Sequence, residues 1–76
     1  MFIKFNVVNF FDPLTGIVFT TKVWIHSENI SFIEEYFINN CKIRFFDCGS
    51  DAWYCSDSYS GDELIELLNN EEKSNL

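Results

Sequence analysis

Two alternating stretches flank a single turn and commit the start of this chain to a β-hairpin. In residues 2–11, Ile3, Phe5, Val7 and Phe11 share one face while Lys4 and Asn6 point away. In residues 17–25, Ile17, Phe19, Val23 and Ile25 repeat the pattern against Thr20 and Lys22. Period two marks half-buried strands. Between them, Asp12-Pro13-Leu14-Thr15-Gly16 supplies Asp at the first turn position, Pro at the second and Gly where φ must be positive. That is a type I turn closed by a bulge.

The spacing after the hairpin predicts a helix. Ser31-Phe32-Ile33-Glu34 fits a capping box, with Ser27 or Asn29 as an earlier cap. Ile30, Ile33 and Phe37 fall on one helical face, widened by Phe32 and Tyr36, and Asn39-Asn40 serves as the C-terminal stop. Cys41–Phe46 alternates as a third strand, and Cys48-Gly49-Ser50-Asp51 turns into a short fourth strand over Ala52–Cys55. After a polar loop, Ser60-Gly61-Asp62-Glu63 is a second capping box, opening a helix with Leu64, Ile65, Leu67 and Leu68 on its apolar side. The expected fold is α+β: a small antiparallel sheet in ββα-ββα order with two helices packed on one face. Residues 1–70 form one domain, with an acidic tail fraying from Glu71. The uncovered sheet face then carries Phe2, Val8, Phe10, Val18, Trp24 and Phe46 among Lys4, Asn6, Thr20, Lys22 and Arg44. An open apolar face of that extent marks a partner site unless edge loops bury it.

Size sets limits. A chain of 76 residues buries only about 60% of the surface that its unfolded form exposes, so it has little material for the walls of a deep pocket. Its nine Phe, two Trp and three Tyr exclude a disordered reading. Phe2–Phe11 is interrupted by Lys4, Asn6 and Asn9, so it is expected to be neither a targeting signal nor a membrane span, and the chain is expected in the cytoplasm.

No residue pattern specifies catalysis, and the chain is expected not to be an enzyme. Cys41, Cys48 and Cys55 are an odd set, which argues against a disulfide framework. With His26 they lack the paired spacing of zinc ligands, so no metal site is expected. Cys48 and Cys55 lie in an acidic stretch that opposes thiolate formation. Glu34-Glu35 and Asp62-Glu63 sit in the first turns of predicted helices, where the dipole favours acids without any chemistry. Residues 57–62 lack the ligand register of a calcium loop. The glycines at 16, 49 and 61 are isolated, so no phosphate cradle and no cofactor are expected.

The acids are segregated. Residues 45–72 hold eight carboxylates and no base. Asp47, Asp51, Trp53, Tyr54, Asp57, Tyr59, Asp62 and Glu63 interleave acids with aromatics there. Aromatic anchors ringed by acids suit a basic protein surface, and the formal charge of −7 opposes direct nucleic-acid binding. The plainer alternative is Trp53 in the core with the acids as a solvated face.

In layout, the hairpin-helix-strand opening that ends at Phe46-Asp47-Cys48-Gly49 resembles small phage-encoded inhibitors of host defence, both anti-CRISPR-like and antitoxin-like. The likeness spans about the first 50 residues and transfers no functional residue. It implies a protein of the host cytoplasm that occludes the basic nucleic-acid-binding surface of a larger host enzyme, such as a CRISPR effector, a restriction enzyme or an RNase toxin. The alternative is an assembly module that homodimerises or docks through the open sheet face, using Phe10, Val18, Trp24 and Phe46.

Overall fold

A computed structural model describes residues 1–74, with side chains to Asn70. The hairpin is present as β1 (Phe2–Phe11) and β2 (Val18–His26). A 3₁₀ turn at Ser27–Asn29 leads into β3 (Ile30–Glu35), followed by β4 (Ile43–Asp47), β5 (Ala52–Ser56) and the helix α1 (Gly61–Ser74). The sheet is five-stranded and antiparallel, in the order β2-β1-β5-β4-β3. The expected ββα-ββα order with two helices is therefore wrong: α1 is the one α-helix among the described residues, and residues 30–35 are a strand. The backbone is helical through Ser74, while the side chains of 71–74 and all of 75–76, where fraying was expected, lie outside the described residues.

A bulge explains why β3 looks helical. Ser31 pairs with Phe46 and Glu34 with Arg44, so Phe32 and Ile33 together oppose Phe45. The extra residue shifts the alternation, and Ile30 and Ile33, three apart, both pack against the core. Three-residue spacing on one face is also what a helix shows. Strand wins because this segment is dense in Ile, Phe and Tyr, which fit a pleated surface better than a helix. Asn39 and Asn40 are a hairpin turn and not a helix stop. Both have positive φ (54° and 68°), and the Cys41 N–H donates to the Ile38 carbonyl at 3.1 Å. Two central residues at positive φ characterise a type I′ turn, the tightest β-hairpin link.

The core lies on one face. Ile3, Phe5, Val7 and Ile25 from the hairpin meet Ile43, Phe45 and Leu64, with Ile30, Ile33, Tyr54, Tyr59 and Leu68 packed around them. The hairpin joins the rest of the sheet at one registered pair, Val7 with Ser56. Side chains reinforce that joint. The fully buried Ser56 donates its hydroxyl to the Asn6 carbonyl at 2.7 Å, and the Asn6 N–H donates to Ser58 Oγ at 2.7 Å. Beside this joint the Phe5 and Phe45 rings meet at 4.6 Å, with Tyr59 edge-on to Phe5 at 5.6 Å.

A second bulge, at Asn9, slips the hairpin register: Val8 faces Thr20, but Phe10 faces Phe19. Phe10 is thereby moved off the uncovered face where the alternation had put it, and Phe11, paired with Val18, moves the other way. The Asp12–Gly16 turn forms as expected, with Gly16 at φ 74° and the Asp12 carboxylate accepting from the Leu14 N–H and the Thr15 hydroxyl.

Two substitutions test this core. Phe45→Ala is expected to cost about 3–5 kcal/mol, a large part of the stability of so small a domain. Ser56→Ala, which removes the hydroxyl that donates to the Asn6 carbonyl, is expected to cost about 1 kcal/mol. Urea unfolding followed by tryptophan fluorescence measures both.

Candidate functional site

The most organised surface feature is a pile of aromatic rings on the outer face of β3, β4 and β5. Register builds it: Phe46 faces Trp53 across β4–β5, and Arg44 faces Glu34 across β3–β4. The Phe46 and Trp53 rings lie 5.4 Å apart, and Phe32 adds contacts at 6.4 Å to Phe46 and 6.2 Å to Trp53. The Arg44 guanidinium sits 5.0 Å from the Trp53 ring and 5.2 Å from Tyr36, and donates to Glu34 Oε2 at 2.8 Å. Edge-on and tilted ring contacts, two cation–π contacts and an ion pair hold each other in place before any partner arrives.

Phe32 is the unusual member. Its φ is +52°, in a region that a bulky side chain enters at a cost of about 1–2 kcal/mol. The ring is nonetheless 70% exposed, so core packing does not compensate the strain. Bulges often re-aim side chains beside functional sites, and strain of this kind concentrates there.

The hairpin has its own uncovered face. Trp24 is cross-strand from Lys4, and Lys22 from Asn6. Phe2 packs edge-on to His26 at 5.1 Å, and both Phe2 and Trp24 are more than half exposed.

The interleaved acids and aromatics of residues 47–63 are dispersed. Trp53 joins the outer ring pile. Tyr54 and Tyr59 pack on the opposite, core face against Phe45 and Phe5. Asp47 is buried, and its carboxylate accepts from the Gly49 N–H at 2.9 Å and the Ser50 hydroxyl at 2.8 Å, which shapes the β4–β5 turn. Asp51 occupies that turn at φ 57°. Asp57 is half-buried in the loop, and Asp62 is exposed in the first turn of α1. Glu63 closes the expected capping box: the Ser60 N–H donates to Glu63 Oε1 at 2.9 Å and the Glu63 N–H to Ser60 Oγ at 3.2 Å. Of the alternative set, Phe46 is in the pile, Trp24 and Val18 lie on the hairpin's outer face, and Phe10 is turned to the other side. Phe32, Tyr36 and Arg44 were missed as a group. An aromatic or Arg at alternate strand positions is the signal, but it is invisible while 30–37 is read as a helix.

Among the described residues, no group of three or more His, Cys, Asp or Glu is placed to hold a metal ion. His26 Nδ1 accepts from the Glu28 N–H at 3.3 Å. Cys41, Cys48 and Cys55 are free thiols. Burial, and then proximity to Cys55, pushes the Cys41 thiol up to about 11. No helix among the described residues is long and apolar enough to cross a membrane. Against models of known protein families, curated proteins and solved structures, the chain has no match.

Two outcomes follow from this geometry. Alkylation of the native protein at mildly alkaline pH should modify the exposed Cys48 first and Cys41 last, with the order erased in urea; mass spectrometry of the digest reads it. Hydrogen bonds from the Ser60 backbone N–H and then its hydroxyl hold the Glu63 carboxyl below its ordinary value of 4.5. A depressed native pKa contributes stability above the ordinary value and loses it as pH falls through the native one. Glu63→Gln should therefore lower Tm slightly at neutral pH and flatten its decline in acid, as measured by thermal unfolding across pH.

Proposed function

We propose that this protein is a non-catalytic binding module, and that the ring pile of Phe32, Tyr36, Arg44, Phe46 and Trp53 is its contact surface for a partner protein. The carrying observation is Phe32, held in a strained bulge with its ring exposed on that pile. Trp, Tyr and Arg are the residues that most often dominate protein interfaces. Here they are also pre-ordered, which lowers the entropy lost on docking.

A protein partner fits this surface better than a single-stranded nucleic acid. Base stacking needs free ring faces, and phosphate binding needs unpaired cations. In the pile the guanidinium lies against two of the rings, and its charge is already matched by Glu34. The inhibitor reading, with acids and aromatics presented together to a basic host enzyme, draws less support. Asp47 and Glu63 are engaged in local hydrogen bonds, and Tyr54 and Tyr59 pack inward.

Photo-crosslinking in the protein's own cells tests the proposal, with the crosslinker placed at position 53 or, as a comparison, at Glu66 on α1. A defined protein adduct from position 53 is expected. Phe32→Gly removes the ring but also relieves the left-handed strain, so stability should stay within about 1 kcal/mol while binding weakens by roughly tenfold or more. Adducts formed only from position 66 and lost at high salt would overturn the proposal in favour of an acidic contact surface.

A further inference from the structure

The three cysteines are not equivalent. Cys48 is exposed just past the end of β4, with the Ser31 hydroxyl 3.4 Å from its thiol. Cys41 and Cys55 belong together, and strand pairing brings them so. Ile43 is registered with Ser56, yet the Lys42 N–H also donates to the Ser56 carbonyl at 2.8 Å. Two residues opposing one form a bulge. Plain alternation would send Cys41 into the core with Ile43 and Phe45. Instead Cys41 is buried but stands apart from that cluster, and its Sγ donates to the Asn39 carbonyl at 3.8 Å. Cys41 and Cys55 line one cavity of about 210 Å³, walled also by Val8 and Tyr36.

Unequal exposure gives the two thiols different roles. Cys55 is half-buried and open to reagents, whereas Cys41 is buried. Burial first, then the neighbouring Cys55 thiol and the charge of Asp57, pushes Cys41 up to about 11. The sulfur of Cys55 is thus within interaction range of Cys41, at the cavity they share. A shielded, protonated thiol is a poor first target. It serves well as the second sulfur, because a more basic thiolate is the stronger nucleophile once its proton leaves.

We propose that Cys41 and Cys55 are a reversible redox pair, which takes a low-molecular-weight disulfide as its oxidant and closes to an internal disulfide. The Cys55 thiolate attacks one sulfur of the small disulfide. The S–S bond breaks, one small thiolate leaves, and Cys55 carries the other half. Cys41 then gives its proton to solvent, attacks the Cys55 sulfur and releases the second thiolate. Two protein thiols are oxidised and one small disulfide is reduced to two thiols, so the electrons balance. Excess small thiol runs the sequence backwards.

Glutathione disulfide, added in excess to the reduced native protein, is the probe, with acid quenching and mass spectrometry of the digest. A Cys41–Cys55 crosslink is expected, while Cys48 keeps its glutathione. In urea the crosslinks should scatter over all three pairings, since Cys48 lies midway between the other two in the chain. In a Cys48→Ser background, closure should be at least about tenfold faster in the native protein than in urea. Cys41→Ser should trap glutathione on Cys55, and Cys55→Ser should leave Cys41 unmodified. Glutathione retained on Cys55 beside a free Cys41 thiol overturns the proposal. So does a native product scattered over three pairings, or a Cys55 left untouched when Cys48 is fully modified.

Discussion

The joint between β1 and β5 is the constraint on which this fold depends. The hairpin and the β3-β4-β5 meander each form from chain-local contacts, but neither buries its apolar face alone. Docking brings Ile3, Phe5 and Val7 onto Ile43 and Phe45, and the interface has one registered backbone pair to guide it. The serines supply what the ladder lacks. Ser56 and Ser58 each bond to the backbone of Asn6, about fifty residues earlier in the chain. Ser56 is fully buried between Val7 and Ile43 in register, so a larger residue there would have to displace the core, and an apolar one would lose the hydroxyl bond to the Asn6 carbonyl. Of the strand pairings in the described sheet this one spans the most chain, so it carries the largest loop-closure cost among them and must be specified most narrowly.

Two bulges then decide which side chains reach the surface. One extra residue reverses every later side chain in a strand. The bulge at Asn9 sends Phe10 to join Phe19, where the rings pack at 5.8 Å. The bulge at Phe32 keeps Ile30 and Ile33 in the core and places the Phe32 ring on the outer face beside Trp53. Among the described residues one helix lies on the core side and none on the outer face, so the Phe32 ring that the bulge directs there stays exposed. The ring pile is thus a product of register as much as of composition.

How legible this was depended on the range of the determining interaction. The Asp12–Gly16 turn and the Ser60–Glu63 cap are local: a few adjacent residues contain both the donor and the acceptor, and both features stand as expected. The segment 30–40 was misread because its pattern is degenerate. Ser31 and Glu34 have the spacing of a cap, yet Ser31 pairs with Phe46 and Glu34 binds Arg44. Those partners lie ten or more residues away and come close only once β4 is in place. Asn39-Asn40 suits a left-handed backbone in either structure, and only the following strand makes it a hairpin turn. Ser56 gave no signal at all, because a serine in a short polar run looks solvated until the strand it serves is known. The site was obscured for the same reason. Trp53 reads as an anchor in the sequence, but Phe32 and Arg44 come from strands, and Tyr36 from the residue after one, whose pairing the chain-local pattern does not reveal.

The acidity acquires a different meaning in this light. Several carboxylates are occupied in building turns and caps: Asp12 and Asp47 each bind their own turn, and Glu63 holds the start of α1. The others lie mainly in the segment that follows β4. A small domain that leaves Phe2, Trp24, Phe32 and Trp53 in solvent risks indiscriminate association, and net charge of one sign is the general defence. Spread evenly, that charge would oppose every contact alike. Concentrated as it is, it penalises approaches that bring two acidic segments together and spares those that do not. The uneven charge therefore filters which apolar surface can be used, and against which neighbour, before any specific contact forms.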